Sequence, residues 1–276
     1  MINFKEKEKK ISVLITVYNN EKYIEKCIQS LKSQSYKNWE AVIIDDGSND
    51  NTPKILKKIC RDKRFLVKTF KKNKGRVPAY NYGVTKCKGD YVAILDSDDI
   101  ANKDRFKHQI NFLKINKKAK IVASWAYLID HNSKKIREMK GPTEKAKIKE
   151  TLMYFNFIPH STVMYCKNFA KKKGILPLNF KYAIDIELYL KFLRYTDIFI
   201  IPKYLGKIRY LRNSITHSIN NRSMVIKDDL LSLDYVNKYF NLNTKKKIII
   251  LFKKINLILL LFFFKINIFK NEISRY

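Results

Sequence analysis

The chain has 276 residues and a formal charge of +32, because 57 lysines and arginines outnumber 25 aspartates and glutamates. Hydrophobic residues make up 46% and aromatic residues 13% of the sequence, which excludes a mainly disordered chain, and only 7 glycines and 6 prolines exclude a fibrous or linker-rich protein. The charge favours a polyanionic partner, either nucleic acid or an anionic membrane surface. The alternative is that much of the Lys, Ile and Asn excess reflects AT-rich codons, in which case part of the charge has no function.

Strand and helix patterns alternate through the first part of the chain. Continuous β-branched runs such as ISVLITVY at residues 11–18 are typical of strands buried on both faces. Strands separated by helices favour crossover connections and a parallel sheet that is covered on both faces. The predicted elements are strands at 11–18, 41–44, 65–70 and 91–95, and helices at 23–31, from 51 to about 60 and from 77 to about 89.

Acidic residues follow two of these strands. Asp45 and Asp46 come after the second strand, and Asp96, Asp98 and Asp99 come after the fourth. Because ligands of such sheets bind beyond the carboxyl ends of the strands, we expect both groups to meet in one crevice. Carboxylates this close repel one another unless a cation or a hydrogen-bond donor compensates them, and hard oxygen ligands suit Mg²⁺ or Mn²⁺. The alternative is that Asp46 or Asp99 caps the next helix.

The second part of the chain is less regular, and its tail changes character. From residue 245 onwards, basic clusters alternate with dense aliphatic and Phe runs. Such a tail is either a helix packed on the domain or, as we favour, an interfacial anchor with lysines at lipid head groups. The predicted elements are strands at 121–129, 161–165 and 198–201, and helices at 144–155, 186–195 and 223–240.

Cysteine usage and the N-terminus both indicate a cytoplasmic protein. The 4 cysteines show no CxxC pair and no zinc-ligand spacing, which is typical of reduced thiols. Residues 1–10 lead into no apolar run with a cleavage site, so we expect no secretory signal. The nearest candidate for a membrane span, residues 248–269, is interrupted by Lys253, Lys254 and Lys265, whereas spanning needs roughly 20 uninterrupted apolar residues.

The segments ISVLITVYN (11–19), IIDDGSND (43–50), NKGRVPAYNYG (73–83) and GDYVAILDSDD (89–99) together resemble family 2 glycosyltransferases. They occur in the order and at the spacing of that family, and the resemblance covers about residues 10–216. It implies the α/β GT-A fold, a Rossmann-like, mostly parallel sheet flanked by helices. The expected regions are a charged lead (1–10), a GT-A domain (11–220) with nucleotide-binding (about 11–100) and acceptor (about 101–220) halves, and a helical, basic-apolar C-terminal region (221–276).

The resemblance also implies roles for residues around the nucleotide. Thr16 and Tyr18 match the T-x-Y-N element, where the aromatic ring lies against the base. Asp46 matches the residue that accepts a hydrogen bond from uracil. Asp98 matches the metal ligand that bridges to the donor diphosphate, and Asp96 lies on the ribose side.

Two arginines are implied on the diphosphate. Arg76 lies in the N-x-G-x segment, although the family often has its arginine where this chain has Tyr80. Arg209 matches the arginine of the element that closes over the diphosphate. In that element Leu211 replaces the family histidine, and the nearby His217 is a candidate to compensate for it.

The catalytic base of the family is the Asp of an acidic pair that precedes a helix, and Asp185 stands at its position. Ile184 replaces the Glu of the pair. The alternative role of Asp185 is to cap the helix that follows. His160, which precedes a predicted strand, is a candidate residue on the acceptor side or a structural hydrogen-bonding residue.

The implied activity is inverting sugar transfer from a nucleotide-diphosphate donor, with UDP as the expected nucleotide, assisted by Mn²⁺ or Mg²⁺. The implied acceptor is a hydroxyl of a glycan or lipid-linked molecule in bacterial surface polysaccharide or lipooligosaccharide synthesis. We expect the protein on the inner face of the cytoplasmic membrane, held peripherally by its C-terminal tail, and we expect no nucleic acid partner.

Three rival interpretations remain at this point. A nucleotidyl transferase also uses acids at strand ends, but it is expected to carry a Gly-rich phosphate loop, and TVYNNEKY after the first strand is not one. A basic protein that binds nucleic acid or membrane on a GT-A scaffold, without transferase activity, predicts no convergent acids. The third is a retained fold with lost activity, which Ile184 and Leu211 motivate.

Overall fold

The computed structural model describes residues 8–211 and 219–273, and it describes their side chains except in 219–221 and 263–273. Its first half confirms the predicted alternation of strands and helices, with ends that differ by a few residues. The elements are β1 (Ile11–Val17), α1 (Ile24–Lys32), β2 (Trp39–Asp45), α2 (Thr52–Ile59), β3 (Phe65–Thr69), α3 (Arg76–Lys86) and β4 (Tyr91–Ile94).

These strands form a parallel sheet centred on β1. β1 pairs with β2 on one side and β4 on the other, and β3 extends the sheet beyond β2. Alternate side chains of β1 enter two cores, so that Leu14 packs with Ala79 of α3 while Ile15 packs with Ile28 of α1. Each such aliphatic burial contributes about 1.5–3 kcal/mol, and the carboxyl ends of the strands are thereby held at one edge.

The second half extends the same sheet. β8 runs antiparallel to both β4 and β6, and β9 runs parallel to β6. In the described residues the strand order is β3-β2-β1-β4-β8-β6-β9-β5, with β7 beside β6, and helices cover the sheet. The elements are β5 (Ile100–Ala101), α4 (Arg105–Ile115), β6 (Ile121–Ile129), β7 (Lys135–Met139), α5 (Lys145–Leu152), a 3₁₀ turn (His160–Thr162), β8 (Met164–Cys166), α6 (Lys167–Lys172), α7 (Ile184–Leu193) and β9 (Phe199–Arg209).

Several predictions for this half need correction. The strand predicted at 161–165 begins as a 3₁₀ turn, because the Thr162 N–H and hydroxyl both bond to the Pro159 carbonyl. The helix predicted at 186–195 begins two residues earlier, at Ile184. The short strand predicted at 198–201 runs on to Arg209. The elements β5, α4, β7 and α6 have no counterpart in the prediction.

Two helices complete the described chain, α8 (Ile219–Tyr239) and α9 (Thr244–Ile273). Leu233 of α8 and Ile250 of α9 are buried in the core that α7 shares, and Lys246 pairs with Glu150 at 3.2 Å. The other side of α9 is exposed. Its exposed apolar residues are Ile248, Ile249, Leu251, Phe252, Ile255, Ile258, Leu259, Leu260 and Phe262.

The tail therefore packs on the domain and also leaves an apolar face uncovered. Within residues 8–211 and 219–273, no helix combines the length and the apolar character that crossing a membrane requires. The 4 cysteines at positions 27, 60, 87 and 166 are free thiols.

Candidate active site

The loops after β1, β2 and β4 are joined by side-chain hydrogen bonds at the carboxyl edge of the sheet. Asn20 donates through Nδ2 to Ser97 Oγ (2.8 Å) and through its backbone N–H to Thr52 Oγ1 (2.9 Å). The Asn19 N–H bonds to Ser48 Oγ at 2.9 Å. The acidic segments after β2 and β4 are thus brought to one edge, on either side of β1, as the sequence predicts.

Asp46 and Asp45 are both buried at the end of β2. The Asp46 carboxylate accepts the N–H groups of Lys74 and Gly75, each at 2.8 Å, so it holds the segment that leads into α3. Burial raises its pKa, and these two donors oppose that rise. Asp45 Oδ1 accepts the N–H and the hydroxyl of Ser48, whereas Asp45 Oδ2 is buried without a hydrogen-bond partner in the described part of the chain. Asp46 does not cap a helix, and that alternative is wrong.

Of the three aspartates after β4, Asp99 is buried and structural, whereas Asp96 and Asp98 are only partly buried. Asp99 is 3% exposed and accepts the Ser161 hydroxyl (2.5 Å) and the Arg209 N–H (2.7 Å), so it joins β4 to β9 and caps no helix. Burial, and to a smaller extent the nearby Asp96 carboxylate, raises the pKa of Asp98 to about 6. The Asp96 side chain is 32% exposed. Asp96 and Asp98 therefore present negative charge to a ligand at this edge.

These carboxylates fit a cation that is shared with a ligand. Within the described residues, no group of three or more His, Cys, Asp or Glu side chains converges on a point that could hold a metal ion unaided. Mg²⁺ and related ions are commonly held by one or two carboxylates together with substrate phosphates and water. The raised pKa of Asp98 indicates charge that the protein leaves partly uncompensated, which is the electrostatic setting that such a cation relieves.

The two predicted arginines have different surroundings. Arg76, at the start of α3, lies 4.0 Å from Asp96 Oδ1 and donates to the Tyr182 carbonyl at 3.1 Å. Arg209 is buried at the end of β9, where its guanidinium donates to the carbonyls of Asp98 (2.9 Å) and Asp130 (2.7 Å). Its Nη2 is buried and has no hydrogen-bond partner within residues 8–211 and 219–273. Arg209 thus shapes the loop that carries Asp98.

Thr16 and Tyr18 lie at the carboxyl end of β1, beside both acidic segments. Thr16 is half-buried in the strand, and Tyr18 is 46% exposed immediately after it. The Tyr18 ring is therefore available for stacking on a flat ligand.

Asp185 lies in the first turn of α7, one residue inside the helix. Its Oδ2 accepts the Asn156 amide at 2.6 Å. The backbone N–H groups that precede α7, those of Lys181, Tyr182 and Ala183, are instead bonded by the Asp228 carboxylate. The alternative role of Asp185 as a helix cap is therefore wrong.

A cavity of about 320 Å³ lies beside Asp185. Arg76 forms part of its wall, so the same side chain borders both the cavity and Asp96. His160 lies against α7, with its Nδ1 2.8 Å from the Tyr189 hydroxyl. Burial lowers the pKa of His160, and the Asp96 and Asp185 carboxylates act against that shift. The acidic edge and the cavity thus form one continuous candidate active site.

The structure adds residues to this site that the sequence did not single out. Asn156, Asp229 and Lys253 line the cavity, and Asp228 holds the loop before α7. The only sequence signal for the two aspartates is their place within a predicted helix, which does not show the face they occupy. Residues 212–218, which include His217 and most of the element predicted to close over the diphosphate, lie outside the described residues.

Comparison with known proteins agrees with this arrangement. The sequence model of glycosyl transferase family 2 matches residues 12–176. Over 222 residues the chain is 32% identical to an uncharacterized glycosyltransferase of Rickettsia typhi, and the alignment covers 77% of this chain and 67% of the relative.

Two solved structures share the fold. Residues 1–349 of TarS from S. aureus superpose with a TM-score of 0.67 at 21% identity, covering 90% of this chain and 71% of TarS. The mannosyltransferase PcManGT from Pyrobaculum calidifontis, in complex with GDP-Man and Mn²⁺, superposes with a TM-score of 0.66 at 14% identity, covering 90% and 69%. The fold is that of GT-A glycosyltransferases, and the chain belongs to glycosyl transferase family 2.

Proposed function

We propose that the protein transfers a sugar from a nucleotide-diphosphate donor, UDP-linked, to a hydroxyl of a glycan or lipid-linked acceptor, with inversion. The proposal rests on one observation: Arg76 borders two regions of the site. One is the acidic edge with Asp96 and Asp98, and the other is the cavity with Asp185. A donor at the edge and an acceptor in the cavity would meet beside Arg76.

The proposed donor site uses residues at the ends of β1, β2 and β4. The exposed ring of Tyr18 stacks on the base, with Thr16 beside it, and Asp46 accepts from uracil through a lone pair that its two backbone donors leave available. We propose that Arg76 contacts the diphosphate and that Arg209 offers it the one guanidinium nitrogen, Nη2, that its backbone contacts leave without a partner in the described residues. Nucleotide complexes of structures with the same fold, TarS with UDP-GlcNAc and PcManGT with GDP-Man, support a donor of this class.

We propose Mn²⁺ or Mg²⁺ as the cofactor, with Asp98 as its protein ligand and Asp96 nearby. When bound, the cation supplies Lewis-acid compensation for the charge that develops on the departing diphosphate. The Mn²⁺ in the PcManGT complex supports this choice.

Asp185 is the proposed base. The Asn156 amide donates a hydrogen bond to its Oδ2, whereas Oδ1 has no hydrogen-bond donor within the described part of the chain. In the reaction Asp185 takes the proton of the acceptor hydroxyl, whose oxygen forms a bond to the anomeric carbon. The bond from that carbon to the diphosphate oxygen breaks on the opposite face, which inverts the centre and releases the nucleotide.

We further propose that α9 attaches the protein to an anionic membrane surface, the cytoplasmic face in a bacterium that builds surface polysaccharide or lipooligosaccharide. The uncovered apolar face of α9 would enter the interface, and exposed Lys245 and Lys247 would meet anionic head groups. The charge of +32 supports an anionic surface as the partner.

Calorimetry of UDP binding, with and without Mn²⁺, tests the proposed donor site. We expect binding that depends on Mn²⁺ and is at least about tenfold weaker in Asp98→Asn, because the variant removes the ionised ligand. Asp90→Asn is the matched control, since Asp90 lies at the opposite end of the same strand and bonds to the Lys10 N–H at 2.9 Å. Equal affinity in wild type and Asp98→Asn would contradict the assignment.

A further inference from the structure

The C-terminal helices form one wall of the cavity beside Asp185. Asp229 and Leu233 of α8 and Lys253 and Leu257 of α9 line it, opposite Arg76 and Asp185. These helices lie beyond residues 12–176, the part of the chain that the family model matches. Whatever occupies the cavity therefore meets side chains that belong to this chain's own C-terminal region.

Asp229 and Lys253 are opposite charges that do not bond to each other. Within the described residues they form no ion pair, and neither their carboxylate nor their ammonium group has a hydrogen-bond partner. Burial raises the pKa of Asp229 and lowers the pKa of Lys253, and each group partly offsets the shift of the other. Both charged groups are therefore half-buried at the cavity wall and remain open to a ligand.

A third polar group of the cavity wall is also unsatisfied. The Tyr154 hydroxyl is buried and has no hydrogen-bond partner among the residues that the structure describes. Unpaired buried polar atoms are rare in folded proteins, and a ligand with several hydroxyls would satisfy this one together with Asp229 and Lys253. A hydroxyl can donate to the carboxylate and accept from the ammonium group, so it bridges charges that stand apart.

The charges and the size of the cavity define the class of ligand. Among the described residues of the wall, Arg76 and Lys253 balance Asp185 and Asp229, so an anionic group would gain two cations but would also lie against two carboxylates. A neutral ligand avoids that repulsion. The volume of about 320 Å³ is at the lower end of the range for small-molecule sites, about 300–1,000 Å³, which suits a single sugar ring.

We propose that α8 and α9 complete the acceptor site, in which Asp229, Lys253 and the Tyr154 hydroxyl bind the hydroxyl groups of a neutral terminal sugar beside Asp185. This inference rests on the proposed function, because it takes the cavity as the place where the acceptor hydroxyl meets the base. It names the acceptor as an uncharged sugar rather than a phosphate-bearing group.

Saturation-transfer NMR with the full chain, UDP and Mn²⁺ tests the proposal. The probes are methyl glycosides of glucose, galactose and N-acetylglucosamine at millimolar concentration, with glucose 6-phosphate and glycerol 3-phosphate as anionic probes. We expect at least one neutral glycoside to bind. Lys253→Met, Asp229→Asn and Tyr154→Phe should each weaken binding, the charged pair by about tenfold or more, as expected for hydrogen bonds to charged groups.

Lys254→Met and Asp234→Asn are the matched controls. Lys254 follows Lys253 on α9 and pairs with Asp234 of α8, and neither residue lines the cavity. They should bind the glycoside as wild type does. Tyr154→Phe keeps the aromatic ring, so it remains informative if a charge variant fails to fold.

The proposal is overturned if wild type binds no neutral glycoside, if the anionic probes bind more tightly, or if the cavity variants bind like the controls. UDP calorimetry on the same samples reports the donor site separately. UDP binding without glycoside binding would reject this inference and leave the proposed donor site standing. Glycoside binding without UDP binding would support this inference and reject the proposed donor site.

Discussion

At the scale of single residues, Gly47 connects backbone geometry to the donor site. It follows Asp46 with φ +75°, a conformation that favours glycine. A Cβ on Gly47 would lie 2.6 Å from the carbonyl carbon of Lys72 and 2.7 Å from the nitrogen of Asn73. The missing side chain thus lets the following segment approach, so that the N–H groups of Lys74 and Gly75 reach the Asp46 carboxylate.

Gly47→Ala should therefore damage both stability and UDP binding. We expect a loss of about 1–3 kcal/mol in the free energy of unfolding, because the new methyl group meets rigid backbone at a strained φ. Urea denaturation and UDP calorimetry measure the two effects. Gly174→Ala is the matched control, since Gly174 has φ +62° but no atom of the described residues lies within 4 Å of its Cβ position. It should cost stability and leave UDP binding unchanged, and equal UDP affinities in both variants would contradict the role of Gly47.

Asp185→Asn tests the proposed base. The amide cannot take the acceptor proton, so kcat should fall by about 10²–10⁴-fold while the UDP affinity stays close to that of wild type. UDP release from a panel of UDP-sugars with methyl glycosides as acceptors measures kcat. Asp197→Asn is the control, because Asp197 follows the same helix and its carboxylate forms an exposed ion pair with Lys145 at 3.5 Å. An unchanged kcat in Asp185→Asn would remove Asp185 from the mechanism.

Sequence reasoning could find the site residues that belong to short motifs and miss those that depend on helix packing. Asp46 and Asp98 stand in dense acidic segments after buried strands, and the neighbouring strands bring those segments together. Asp229 and Lys253 lie 24 positions apart on two helices, and their meeting depends on how α8 packs against α9. No local pattern encodes that packing.

At the scale of elements, the start of α7 is held by a carboxylate from another helix, that of Asp228. Asp228 of α8 accepts the N–H groups of Lys181, Tyr182 and Ala183, at 2.6 to 3.1 Å. These donors precede the helix that carries Asp185, and Tyr182 is also the residue that Arg76 contacts. α8 therefore positions both sides of the cavity through one buried side chain.

Asp228→Asn should loosen this junction. The neutral amide accepts through a single oxygen, so we expect a loss of about 2 kcal/mol or more in the free energy of unfolding and a lower kcat. Urea denaturation and the UDP-release assay measure them. Asp234→Asn, on the same helix but paired with Lys254 at the surface, should change neither by a comparable amount. A lower stability with full kcat would show that Asp228 serves the fold alone.

There are physical reasons why the sequence did not predict α4 or the full length of β9. The inner face of α4 carries Arg105 and Gln109, both buried, which break its apolar periodicity. Arg105 donates to the carbonyls of Ile94 and Val163, and Gln109 donates to that of Thr162. The predicted length of β9 is too short because Pro202 and Lys203 interrupt its apolar run. The strand nevertheless continues beside β6 through a register shift. Polar contacts and pairing partners, not local pattern, decide these cases.

At the scale of the whole molecule, the parallel half of the sheet was predictable and the remainder was not. Alternating buried strands and helices specify a parallel arrangement, because crossover connections leave few topologies. The strands after β4 pair both parallel and antiparallel, and their order β8-β6-β9-β5 departs from chain order. Such pairings join residues far apart in sequence, which periodicity does not report.

Vesicle flotation tests the proposed attachment of the whole molecule through α9. We expect binding to vesicles that contain phosphatidylglycerol, weaker binding to phosphatidylcholine alone, and a decrease with salt because head-group attraction is screened. The double variant Leu251→Ser and Ile258→Ser should weaken binding by about tenfold, since both side chains are exposed on α9. Ile115→Ser is the control, because Ile115 is 82% exposed on α4. Equal loss in the control would contradict attachment through α9.

The two sides of α9 have a geometric consequence. Lys253 and Leu257 line the cavity, whereas Ile255 and Phe262 are exposed, roughly on the opposite side of the helix. A helix with its side chains is about 10–12 Å thick, so on a bilayer α9 would act as a spacer of fixed height. An acceptor hydroxyl would then reach Asp185 only if its anchor lets it stand about that far above the lipid surface. The protein would then select acceptors by the distance between their lipid anchor and their reacting hydroxyl, as well as by their chemistry.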